Sequence, residues 1–362
     1  MKPFLYALQV LFLVTGLSNC LLDGSFKHRS TSVPDQLDDG WMVSSPADEG
    51  MDPQILEEAY DMFYSDEQFI NALALLVVHN GKIVFETYAR SPEDRERLHH
   101  VQSVTKSVTS LVFAAVRKAG YLDDLDETVA SIIPEAFVNV PDKQGITLRH
   151  LLTMRSGIAF YNEDFSVEIH VNRPNDPVAH ILSKPMYASP GEQFNYRDCD
   201  PHLLGAVVKK ISGRNLEEWA VENLFSAIGI TQYHWLTDPT RISTGAYGLY
   251  LKPRDLARIG QFVLQRGVWN TVEVIPSGWI DDSTSRQTDS GRIEYDYGYY
   301  WWIVPELNAV TAWGQGGNFI FLVPDKELVT VMISLPDVDD DTVGTVLPEF
   351  VPLARLICRS IP

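Results

Sequence analysis

An α+β fold, an antiparallel sheet flanked by helices with a mostly helical lobe inserted in the chain, is what the order of patterns in this 362-residue sequence predicts. Three observations predict it. An apolar hairpin comes early, a long stretch of helical and loop patterns follows, and strand-like runs then return and are closed by an amphipathic helix.

Taken in order, residues 53–65 carry the spacing of an amphipathic helix. Residues 72–79 form an apolar β run, Asn80-Gly81 is a hairpin turn, and residues 82–89 return with Ile83, Phe85 and Thr87 alternating. Residues 103–120 read as a helix with Val108, Leu111, Val112, Ala115 and Val116 on its apolar face and Gly120 ending it. Helical patterns at 148–154 and 201–211 enclose a loop-rich region over 156–192. Strand-like runs follow at 299–304, 319–323 and 328–334, and residues 348–359 fit a closing helix. No repeat at solenoid or propeller period is present in the sequence.

Composition narrows the function classes. Hydrophobic residues at 45% and charged residues at 21% describe an ordinary packed protein. A net charge of −19 with no cluster of Lys and Arg excludes nucleic acid as a partner. At the N-terminus Lys2 precedes an apolar run from Phe4 to Leu17, the pattern of an export signal over residues 1–20. Leu17-Ser18-Asn19-Cys20 is similar to a bacterial lipoprotein signal, which makes Cys20 a candidate lipid anchor, although Asn19 departs from the small residue usual there. A plain secreted protein is the competing reading, so the expected location is periplasmic, membrane-anchored or secreted. Residues 21–46 lack period and read as a tether, with the folded domain over 47–362. The cysteines, Cys20, Cys199 and Cys358, form neither a disulfide framework nor a zinc pattern, and the last two are expected as buried free thiols. No metal or cofactor is implied.

Chemistry first appears at Ser103-Val104-Thr105-Lys106, at the start of an apolar helix. Spacing of three puts the Ser hydroxyl and the Lys amine on one helix face, where the Lys can activate a nucleophile that is weak alone. The free N–H groups of the first helical turn also favour developing negative charge. Serine is equally an ordinary N-cap, so the tetrapeptide alone is a weak signal.

Further stretches strengthen it: Ile146 to Gly157, Pro190 to Tyr196, Leu203-Leu204-Gly205, and Gly314 to Ile320. With the SxxK sequence they make the chain resemble, over nearly its whole mature length, the β-lactamase-like serine hydrolases. That group includes class C β-lactamases, DD-peptidases, β-lactamase-like carboxylesterases and 6-aminohexanoate-dimer hydrolases. The resemblance implies a β-lactamase/transpeptidase-like fold with Ser103 as nucleophile. Tyr196-Arg197-Asp198 stands at the family's Tyr-x-Asn motif, implying that Tyr196 is the proton-transfer partner of Lys106. Asp198 replaces the usual Asn; a carboxylate there could pair with Lys106 and keep it charged, which favours Tyr196 as base.

The family's Lys-Thr-Gly motif aligns with Ala312-Trp313-Gly314-Gln315, a register uncertain by one residue, and neither cation nor hydroxyl remains. Loss of that carboxylate grip disfavours β-lactamase or DD-peptidase activity. By alignment, the Ser103 and Gln315 N–H groups make the oxyanion hole, on an edge strand that Gly314 lets approach closely. His150 is read as packed and hydrogen-bonded, not catalytic. Tyr295, Tyr297, Tyr299, Tyr300, Trp301 and Trp302 are core aromatics or cleft lining, and Glu163 and Asp164 are substrate contacts or a solvated loop. The expected function is hydrolysis of a small amide or ester through an acyl-enzyme, amides slightly ahead. A penicillin-binding envelope peptidase and a catalytically silent binding protein are the alternatives.

Overall fold

Asn80 and Gly81 both take left-handed conformations, at φ 51° and 74°, between the paired residues His79 and Lys82. That is a two-residue turn whose twist matches the strands it joins, strand β2 (Ala72–His79) and strand β3 (Lys82–Tyr88). The computed structural model describes residues 27–292, 294–335 and 345–362, without the side chain of Glu163. The expected leader over 1–20, with Cys20, lies outside the described residues.

The hairpin belongs to a nine-stranded sheet. Strand β1 (Met42–Val43) adds to it in parallel, and all other pairings are antiparallel. The later strands are β4 (Thr288–Arg292), β5 (Tyr295–Tyr297), β6 (Trp302–Val304), β7 (Ala309–Gly314), β8 (Asn318–Val323) and β9 (Leu328–Ser334). Spatial order is β1-β3-β2-β9-β8-β7-β6-β5-β4, so the helical lobe enters between strands that end on opposite sides of the sheet.

Strand β8 shows why the sheet reads as continuous apolar runs. Phe319 and Phe321 point to one face, where both rings meet Phe350 of the closing helix (Leu347–Arg359). Ile320 and Leu322 point to the other, where a Cβ on Gly260 would come within 2.8 and 3.2 Å of them. Gly260 thereby brings the helix Pro253–Leu264 directly onto the sheet. Both faces are covered, and alternation with water is lost. A largely antiparallel sheet with helices on both faces is the α+β arrangement that the sequence predicts.

Helix α1 (Pro53–Ser65) and helix α2 (Val104–Lys118) form where their apolar spacing placed them. Three expectations need correction. The segment read as a tether is, from residue 27 onward, strapped to the sheet edge. Arg254 donates to Glu86 Oε1 and Oε2 at 2.5 and 2.9 Å, to Asp39 at 2.9 Å and to the Asp35 carbonyl at 2.8 Å, which fixes the arm. The strand expected from Tyr299 starts at Trp302, because Tyr300 at φ 66° closes a turn in which Gly298 N donates to Trp301 O. The loop-rich region over 156–192 contains short helices at Asn162–Ser166 and Pro177–Leu182.

Candidate active site

Helix α2 is polar along its first two turns yet buried, and each polar side chain has a specific acceptor. Thr105 Oγ1 donates to Gln102 O at 2.7 Å, Ser107 Oγ to Tyr300 O at 2.6 Å, and Thr109 Oγ1 to Gly245 O at 2.9 Å. Such satisfied contacts let a Ser/Thr-rich helix run between the sheet and the inserted lobe. Just before it, Gln102 is held at φ 51°, a left-handed turn that delivers Ser103 to the head of the helix. Ser103 makes no side-chain cap, so its hydroxyl is not committed to the helix N-terminus.

Lys106 lies one turn on, with its side chain only 1% exposed. Its Nζ donates to Ser103 Oγ at 2.7 Å and to Ala246 O at 3.0 Å, and stands 2.7 Å from Asp198 Oδ1. Burial alone would pull the Lys106 pKa down; the Asp198 charge and the Tyr196 hydroxyl oxygen, both accepting from the amine, outweigh it and hold the amine protonated above the ordinary lysine range. The Tyr196 ring centroid is 4.8 Å from the ammonium. Ser103, Lys106, Tyr196 and Asp198 are therefore one cluster.

Two features that the sequence reading missed hold this cluster in place. Asn162 brackets the Tyr196-Arg197-Asp198 turn: its Oδ1 accepts from Asp198 N at 2.9 Å and its Nδ2 donates to Tyr196 O at 3.3 Å. Gly245 lies so close to the helix Cys199–Ser212 that a Cβ there would stand 2.0 Å from Pro201 O, and this approach sets the Ala246 carbonyl against Lys106. Asn162 was findable as a polar residue in the loop after Ser156-Gly157. The Ala246 carbonyl carries no side-chain signal at all.

The third-motif segment also reaches the site. A Cβ on Gly314 would stand 2.4 Å from Val101 O and 3.1 Å from Gln102 Cβ, directly before Ser103. Strand β7 is not an edge strand, since β6, β5 and β4 lie beyond it. Its pairing with β6 covers only Ala309 to Thr311, however, so Trp313 and Gly314 extend past the end of β6. Gln315 stands exposed in the turn that follows.

The aromatic run divides. Tyr299, Tyr300 and Trp301 are core residues, whereas Tyr297 and Trp302 pack on Tyr196 at centroid distances of 6.2 and 5.4 Å, and Trp302 meets Trp313 at 5.6 Å. Tyr295 is also buried. His150 Nδ1 accepts from Thr147 N in a helix cap, and Gly191 packs against its ring. Asp164 is exposed on its short helix. Cys199 and Cys358 are buried free thiols.

Against known proteins, the chain is 27% identical over 294 residues to the 6-aminohexanoate-dimer hydrolase of Paenarthrobacter ureafaciens, a match covering 74% of this chain and 73% of that relative. Among solved structures, one provisionally assigned as a 6-aminohexanoate-dimer hydrolase from Bacillus anthracis superposes with a TM-score of 0.67 at 22% identity, covering 93% of this chain and 88% of the other. A class C β-lactamase superposes with a TM-score of 0.65 at 17% identity, covering 85% of this chain and 97% of its own. The family model described as Beta-lactamase matches residues 52–342, and the chain belongs to the beta-lactamase family.

Proposed function

We propose that the chain is a serine hydrolase that cleaves a small amide or ester through an acyl-enzyme on Ser103. The observation that carries this reading is the 2.7 Å hydrogen bond from a protonated, buried Lys106 to Ser103 Oγ. An ammonium that donates to the hydroxyl cannot accept its proton, so Lys106 acts by charge and Tyr196 is the base. Ser103 Oγ attacks the carbonyl carbon as its proton passes to Tyr196 acting as a phenolate, whose charge the Lys106 ammonium balances. The Ser103 and Gln315 N–H groups bind the resulting oxyanion, and Tyr196 returns the proton to the departing amine or alcohol. Water then attacks the acyl carbon by the reverse proton route and frees Ser103. Similarity to a 6-aminohexanoate-dimer hydrolase favours an amide over an ester as the natural substrate.

The test is intact-protein mass spectrometry after exposure to a fluorophosphonate, with hydrolysis of p-nitrophenyl butyrate measured in parallel. Wild type is expected to gain one adduct, on Ser103, and to turn over the ester, while Ser103→Ala does neither and Lys106→Ala is severely slowed. A folded wild-type protein inert to both reagents would replace this reading with that of a silent binding protein.

A further inference from the structure

The inserted lobe carries a second cleft, of about 680 Å³, built from residues that the Ser103 cluster does not use. That is the size of a small-molecule site. Helix Cys199–Ser212, helix Pro177–Leu182 and the turn Pro134–Phe137 with the chain beyond it all contribute to the lining. Ile133, Val138, Val140, Val178, Ala206 and Ile242 make that lining aliphatic, and Val138 is left 74% exposed. Such walls offer no flat ring for stacking and suit a flexible hydrocarbon chain.

The charged residues around the cleft differ in what they are already bound to. Glu135 is paired with Lys210, and Asp176 Oδ1 accepts from Ala179 N at 2.9 Å as the cap of its helix. Lys209 donates to the Arg241 carbonyl at 3.0 Å and keeps further donors. Among the described residues, neither Lys209 nor Arg241 has a carboxylate partner. Ala206 and Lys209 are three apart on one helix and share a face, so the lysine amine stands at the end of an apolar strip. Arg241 adjoins Ile242, another lining residue. In a chain of net charge −19, two neighbouring cations without a counter-ion are a local attractor for an anion.

We propose that this cleft binds a linear alkyl carboxylate, its chain along the aliphatic lining and its carboxylate against Lys209. The site is separate from the one around Ser103 and does not depend on the hydrolase reading. The two share helix Cys199–Ser212, which starts at Asp198 and reaches Lys209 about three turns later.

Octanoate is the probe, titrated calorimetrically into the full chain beside octylammonium, which has the chain without the anion, and acetate, which has the anion without the chain. Octanoate is expected to bind at least about 10-fold tighter than either. Lys209→Met is expected to weaken octanoate by about 10-fold, the size of a lost charge-assisted contact, and to leave hydrolysis of p-nitrophenyl butyrate at its wild-type rate. Val138→Glu, at a position too exposed to affect folding, is expected to weaken octanoate as well, and Val138→Lys is not. Irradiation with an octanoate that carries a terminal diazirine is expected to label peptides within 133–140 or 178–183. The proposal is overturned by any of four results: no octanoate binding, octylammonium binding as tight as octanoate, octanoate affinity unchanged in both Lys209→Met and Val138→Glu, or labelling confined to the cleft around Ser103.

Discussion

Asp198→Asn is the sharpest probe of the electrostatics around Ser103, because it removes one charge and changes almost no volume. In the wild-type protein Asp198 faces an ammonium whose side chain is 1% exposed, while its own is 14% exposed. Breaking a pair this well buried by neutralising one partner costs about 3 kcal/mol, near the low end for buried pairs because the amide oxygen still accepts. The pH dependence has a definite sign. With Asp198 present, the folded-state pKa of Lys106 lies above its ordinary value of 10.5, so the stability that this proton confers is complete at neutral pH and is lost only as pH rises through the folded value. Without the carboxylate, burial dominates and draws Lys106 below 10.5. The folded state then binds the proton less tightly than the unfolded chain does, and the penalty is largest at low pH and shrinks as pH rises. Urea titrations at pH 6 and pH 9.5 are expected to show a larger loss at pH 6. In kinetics, Lys106, which the proposed reaction uses protonated, gives up its proton more readily once the Asp198 charge is gone, so the alkaline limb of kcat/KM moves to lower pH. A variant with wild-type stability at pH 6 and an unmoved profile would refute the assignment of Asp198 as the counter-ion of Lys106.

Gly314→Ala places a methyl group 2.4 Å from Val101 O, so β7 and the segment leading to Ser103 must separate. A shift of that size at the oxyanion site is expected to lower kcat/KM by about 100-fold with circular dichroism unchanged. Asp200 is fully buried, and burial pushes its pKa from 3.8 up to about 7 despite the hydrogen bonds from Ser156. Because the folded value exceeds the unfolded one, its contribution to stability is present below about pH 4 and is lost as pH rises to 7. Asp200→Asn is therefore expected to flatten the pH dependence of the thermal midpoint between pH 4 and 7, and to gain on wild type at pH 8 relative to pH 5.

What could be read from the sequence is what depends on neighbours along the chain. Ser103 and Lys106 share a helix face because they are three apart, the Asn80-Gly81 turn dictates its own hairpin, and α1 and β2 follow their periodicity to the residue. The arm over 27–46 was misread because the groups that fix it, Glu86 and Arg254, are 168 residues apart in sequence. The helix Pro253–Leu264 went unread although Leu256, Ile259, Phe262 and Val263 recur at helical spacing; what the sequence does not show is that its polar face is buried too, because Arg254 pairs with Glu86 and Asp39, and Arg258 with Asp255.

The same division runs through the candidate site. The proposed attack and proton transfer use Ser103, Lys106 and Tyr196, two of them on one helical turn and the third on a short turn that ends at a helix. The groups that hold Tyr196 and Lys106 come from elsewhere: Asn162 lies 34 residues before Tyr196, and the Ala246 carbonyl 140 residues after Lys106. The indoles beside Tyr196 come from further still, because Trp302 and Trp313 belong to different strands that follow the whole inserted lobe. Substitutions at Trp302 or Trp313 can therefore change the surface beside Tyr196 and leave the Ser103–Lys106 spacing untouched, whereas one at Gly314 presses on the segment that leads to Ser103. In the proposed reaction, substrate preference is therefore set by the far strands of the sheet, and the chemistry by one helix start.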